Sequence, residues 1–285
     1  MNWRVWELRP MLRDSFHMVG QRLLLFASGD FDTFLVSRLS GAVALGPYSL
    51  AKTLSHAALD QISGTVNQIT LPSFAAKAGD HMAQLGALKT VIGTAATIVF
   101  PLFWFAGVIS QVAFPLIFGP RWSGLIFPFT AFTLLLPLRT VYALLSTAVI
   151  GTGNVSITFK NMIVWASIMM PALLLAAMFG PRAVAVAWVV GFPFVFLSGM
   201  RRISRCFGIT LRELLRPLFM PAICTAAAAV VVECLALFLG STLPPLALLL
   251  IQIVVAAGLY WVLMLRFGRT QYDQTTKLAW QLLGR

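Results

Sequence analysis

Apolar runs long enough to cross a bilayer follow one another along most of this chain, separated by short turns. A helix needs about 20 apolar residues to span roughly 30 Å of hydrocarbon. Runs of that order occur at about 14–37, 44–70, 84–112, 123–150, 156–179, 182–200, 217–239 and 245–267. Backbone groups in lipid must find their hydrogen bonds inside the segment, so the runs are expected to be helices. The alternating segments of about ten residues that would mark a barrel are absent. The chain is 59% hydrophobic and 11% charged, against about 25% charged residues in soluble domains. The expected fold is therefore all-α, a polytopic transmembrane helical bundle of about eight helices. Its first two runs are the least apolar.

Gly119-Pro120, Gly151-Thr152-Gly153-Asn154, Gly180-Pro181 and Pro244-Pro245 read as turns. Pro128 and Pro137 fall in the fourth run, where proline removes a backbone bond and bends a helix. The longest connector is expected from about Arg201 to Arg216, with five arginines against Glu213. It reads either as an amphipathic helix lying on anionic lipid or as a solvated basic loop, with Gly208 as a break.

The formal charge is +12. Nucleic acid is not the expected partner, because no basic-aromatic single-strand pattern is present. The basic residues gather instead at both termini and in alternate turns, which places both termini in the cytoplasm. The N-terminus, with Trp3, Arg4, Trp6, Glu7 and Arg9, lacks the form of a cleavable signal peptide. Cys206, Cys224 and Cys234 have no metal-ligand spacing, and the histidines are scattered, so no metal and no cofactor are expected. No nucleophile–base signature or phosphate-binding glycine loop supports an enzyme.

The second run carries Ser49, Lys52, His56, Asp60, Ser63 and Asn67. At about 100° per residue they fall within roughly 80° of arc and extend about 27 Å along the axis. Ionisable groups facing lipid are costly, so the stripe should face protein or water. Lys52, His56 and Asp60 are spaced for direct i, i+4 contact. One reading is a structural ion-pair ladder. The other is a cavity lining for an anionic substrate or a coupling ion, favoured by the number of groups in register. Asp30 and Asp32 lie about 200° apart, so on a regular helix they cannot share one cavity, although Gly29 offers a break. Arg22 either snorkels or joins the cavity. Arg139 shares a helical face with Tyr142 and Ser146, and needs an acid, water or a phosphate-bearing substrate. Glu233 reads as interfacial, and Trp188 as an ordinary belt or packing residue.

The stretch from Asp32 to Ala51, DTFLVSRLSGAVALGPYSLA, resembles the polysaccharide transporter branch of the multidrug/oligosaccharidyl-lipid/polysaccharide exporter superfamily. Leu71-Pro72-Ser73-Phe74, Phe118-Gly119-Pro120-Arg121-Trp122 and Gly151-Thr152-Gly153-Asn154 before Lys160 follow in the family's order. The resemblance covers roughly residues 15–200. It implies a C-terminal half: a second six-helix lobe over 1–205, then a basic connector and two additional helices over 206–285. It also implies a bacterial cytoplasmic-membrane protein that flips polyprenyl-diphosphate-linked oligosaccharide by alternating access, with membrane lipid as a further partner. A missing N-terminal half, or a polysaccharide polymerase or glycosyltransferase, would complete the machinery. Lys52, Arg139 and Arg22, with His56, Asn67 and Tyr142, are the candidates for substrate contact. Asp32, Asp60 and Asp30 are the candidates for a coupling ion or charge partner. The alternatives are a multidrug exporter of the same superfamily and a non-transporting scaffold subunit of a polysaccharide assembly system.

Overall fold

The structure is a computed structural model that describes residues 15–16, 18–26, 29–75, 81–240 and 242–268, with side chains left out at 58, 60–75 and 81–84. Among the described residues it is helical throughout, apart from turns. Residues 18–26 form an N-terminal helical segment. The longer helices are α1 (Phe31–Ala75), α2 (His81–Phe118), α3 (Ile126–Gly151), α4 (Val155–Ala177), α5 (Pro181–Cys206), α6 (Leu211–Leu239) and α7 (Pro245–Phe267), with a 3₁₀ turn at Pro120–Leu125 between α2 and α3. Among the described residues six stretches, from Leu85–Phe118 to Pro245–Phe267, are long and apolar enough to cross a membrane. The chain is a multi-pass helical bundle.

One break that the sequence reading expects is present, and one long connector is not. Helix α1 is broken at Gly41, whose φ of 79° and ψ of 174° leave the helical region. That positive φ is one a side chain would strain against. The break divides α1 into an arm of residues 31–40 and an arm of 42–75. The long arginine-rich connector does not form. Helix α5 runs on to Cys206, Gly208 reverses the chain at φ 63°, and α6 starts at Leu211. Thr210 caps α6 by accepting a 3.3 Å hydrogen bond from the Glu213 amide. The capping side chain satisfies an orphan donor of the first turn, so a few residues suffice where a longer connector, helical or looped, was expected. Pro128 stands in the first turn of α3, where proline is tolerated. Pro137 is the proline inside that helix.

Helix α3 is the hub of the bundle. It packs on α1, α2 and α5, while α4 packs on α5 and α1. Helices α6 and α7 pack on each other and reach the rest chiefly through α2. The core is continuous and aromatic: Tyr48 meets Phe132 edge-on at 5.6 Å, and Phe192 and Phe196 flank Tyr142.

Candidate functional site

The break at Gly41 lets the two arms of α1 fold back on each other, and polar groups fasten them. Asp32 stands in the first turn of α1 and is 1% exposed. A buried carboxylate is tolerated only when it is paired and hydrogen-bonded. Its Oδ1 accepts from Lys52 Nζ at 2.7 Å and from the Thr33 amide at 2.8 Å. Its Oδ2 accepts from the Tyr48 hydroxyl at 2.7 Å and from Trp188 Nε1 at 3.1 Å. Tyr48 and Lys52 lie on the second arm of α1 and Trp188 on α5, so one carboxylate ties both arms to a neighbouring helix.

Lys52 is 8% exposed. Its ammonium has three donors and four acceptors in reach. Besides Asp32 these are the Gly29 carbonyl at 2.7 Å, Thr33 Oγ1 at 3.1 Å and Asp30 Oδ1 at 3.2 Å. Both acids therefore meet one lysine. Asp30 precedes the first residue of α1, so the 200° separation of a regular helix does not apply to it. The two still differ sharply: the Asp30 side chain is 92% exposed and that of Asp32 1%.

One turn beyond Lys52, His56 turns to α3. Arg139 Nη1 lies 3.0 Å from His56 Nε2. A guanidinium can only donate, so Nε2 accepts and the imidazole carries its proton on Nδ1. The Arg139 guanidinium also stands 5.1 Å from the centroid of the Trp188 ring, a cation–π distance. Lys52 and His56 thus find separate partners on other segments, where direct i, i+4 contact was expected.

These groups border a cavity of about 620 Å³ between α1, α3, α4, α5 and the N-terminal segment. Lys52, His56, Arg139, Tyr142 and Asp30 line it, with Ser146 and Asn161. Asp30 is the carboxylate among the described lining residues. Asp32 lies behind the wall as the partner of Lys52. Arg202 approaches from the end of α5, donating from Nη1 to Asn161 Oδ1 at 2.8 Å.

Arg22 is not brought to the cavity. Gln21 and Leu25, one turn apart, line it, while Arg22 is about 100° further round the helix and exposed. The side chains of Asp60 and Asn67 lie outside the described residues. Trp188 packs in the core as expected, and it also donates to Asp32 and stacks on Arg139. Tyr48 was visible in sequence only as part of a motif, and Arg202 only as connector charge. No sequence periodicity could have paired Trp188 with an acid 156 positions away.

Comparison with known proteins points the same way as the motifs. Residues 1–127 match the family model described as "Polysaccharide biosynthesis protein". Three of the four motifs noted above fall in that range, and the Gly151–Asn154 turn lies beyond it. The chain is 24% identical over 224 residues to the "Lipopolysaccharide biosynthesis protein WzxC" of Escherichia coli (strain K12), an alignment covering 75% of this chain and 44% of that protein. The chain thus spans less than half the length of the curated relative it matches. No solved structure matches it. Both comparisons are resemblances to polysaccharide biosynthesis proteins, and the fold defines the class of this chain as a multi-pass helical membrane protein.

Proposed function

We propose that this chain forms one lobe, with two further helices, of an exporter that moves lipid-linked oligosaccharide across the bacterial cytoplasmic membrane without altering it chemically. The observation that carries this reading is the cavity within the bundle, where Arg139, His56 and Lys52 meet on one wall. A diphosphate headgroup needs concentrated positive charge and planar bidentate donors, which a guanidinium supplies. Arg139 is the main headgroup contact, and Tyr142 and Ser146 continue its face toward the sugars. Lys52 is held by Asp30 and Asp32. It joins in when the headgroup phosphate displaces the exposed carboxylate of Asp30. Arg22 receives no role. The asymmetry of basic residues puts both termini in the cytoplasm. A complementary lobe, on this chain's extension or on another chain, would close the cavity and rock against this one.

The test is made in the complete transport system. Arg139→Ala is expected to lower surface polysaccharide at least about tenfold while lipid-linked precursor accumulates on the cytoplasmic leaflet, as for loss of a charged anchor worth more than about 1.4 kcal/mol. Surface polysaccharide at the unmodified level would reject the site. The saturation of Lys52 favours a second reading, a scaffold subunit in which ion pairs only hold helices together. Copurification with a polymerase or glycosyltransferase, with flipping intact after deletion, would favour that reading.

A further inference from the structure

A second cavity, of about 490 Å³, opens between α2, α6 and α7, away from the central one. Its walls are mostly apolar, including Val108, Leu237 and Leu248, but three polar side chains interrupt them: Gln111, Glu233 and Gln252. Each lies six or seven residues from a helix end, at Phe118, Leu239 or Pro245. That is about 10 Å along each axis at 1.5 Å per residue. Three helices therefore bring polar groups to one level. Helix α6 has 29 residues, about 43 Å long against roughly 30 Å of hydrocarbon. A level about 10 Å from its end falls near the headgroup boundary.

Gln252 makes the place unusual. It is 1% exposed, and neither its amide nitrogen nor its amide oxygen has a hydrogen-bond partner. A buried amide left unsatisfied is costly, and native structures rarely keep one without a ligand or water. Glu233 takes a 3.0 Å hydrogen bond on Oε1 from Gln111 Nε2. It is the ionisable residue of the lining, so the cavity carries negative charge and disfavours anionic headgroups.

We propose that this groove binds a membrane lipid with a primary-amine headgroup, a phosphoethanolamine lipid. Its ammonium donates to Glu233 and to Gln252 Oε1, and Gln252 Nε2 donates to a phosphate oxygen. The acyl chains lie along Leu237 and Leu248. A quaternary ammonium has no N–H to satisfy the amide oxygen, and a glycerol headgroup brings a net negative charge toward Glu233. A bare cation would want a fuller oxygen shell than these two side chains give.

The test uses the full chain, purified from micelles containing equal amounts of phosphatidylethanolamine, phosphatidylcholine and phosphatidylglycerol, with retained lipid counted by native mass spectrometry. Phosphatidylethanolamine should be retained at least about fivefold over either competitor, a ratio worth about 1 kcal/mol. Glu233→Gln and Gln252→Leu should each bring the three lipids to equal retention. Gln252→Leu replaces the unsatisfied amide by apolar atoms, so it is expected to fold at least as well as the unmodified chain in lipid-free detergent. Equal retention of all three lipids by the unmodified chain would overturn the proposal. So would a phosphatidylethanolamine preference that survives Gln252→Leu, or a loss of thermal stability in that variant. The measurement involves no transport and none of the central cavity's residues, so its failure leaves the proposed function untouched.

Discussion

Lys52 and Arg139 are both cations inside the same bundle, and they are held in opposite ways. Lys52 is buried among oxygens: two carboxylates, a carbonyl and a hydroxyl surround an ammonium with three donors. Arg139 stands on the cavity wall, against a neutral imidazole and the face of an indole. The first arrangement closes on itself and fastens the two arms of α1 across Gly41. The second lies on the wall of a space large enough for a ligand. A charge in a membrane protein is thus not evidence of function by depth alone. What it touches decides whether it holds the fold or meets a substrate.

The sharpest way to break this contrast is to remove the carboxylate behind Lys52. Asp32→Ala leaves a buried ammonium without its main partner, and should destabilise the fold by about 3–5 kcal/mol. Thermal unfolding of the purified chain in detergent reads this directly. The double variant Asp32→Leu with Lys52→Met removes both charges and should recover most of the loss. If the single and double variants unfold alike, the staple is not what holds α1. Arg139→Ala should cost the fold less than Asp32→Ala does, while transport falls. If it unfolds the chain as Asp32→Ala does, the two cations are not different in kind.

Gly41→Ala sharpens the role of the break. At φ 79° a Cβ costs roughly 1–2 kcal/mol, so a drop of that size in unfolding free energy is expected. Asp30→Asn is the smallest change. The Asp30 side chain is 92% exposed, so its pairing should contribute less than about 0.5 kcal/mol to stability. Its effect should appear instead as tighter retention of an anionic headgroup, because Lys52 loses its displaceable partner.

Much of the bundle was legible in the sequence because glycine and proline mark where helices stop. The run expected at 245–267 coincides with Pro245–Phe267, and that at 156–179 departs from Val155–Ala177 by only a residue or two. The arginines near 201–216 were misleading. Clustered charge suggests a loop, but long basic side chains reach water from helix ends, so α5 and α6 simply continue through them. The stripe of α1 correctly marked a polar face, and on it Lys52 and His56 do line the cavity. It could not tell which of them is saturated, since Asp32, Trp188 and Arg139 come from turns and helices that only tertiary packing brings together. The second cavity was even less visible. Gln252 is a lone amide in an apolar run, and nothing in the sequence pairs the interfacial Glu233 with Gln111.

The central claim is that the wall bearing Arg139 borders a water-filled space within the bundle. Cysteine accessibility in the membrane tests it most directly. Cys206, Cys224 and Cys234 are free and would first be replaced by serine. Ser146→Cys, on the cavity face of α3, should then react with a membrane-impermeant thiol reagent, and lipid-linked diphosphate-oligosaccharide should protect it. Leu134→Cys, at an exposed position of the same helix, should stay unreactive because it faces lipid. If the cysteine at 146 resists the reagent as completely as that at 134, the space is dry or closed, and the reading of Arg139 as a substrate contact is contradicted.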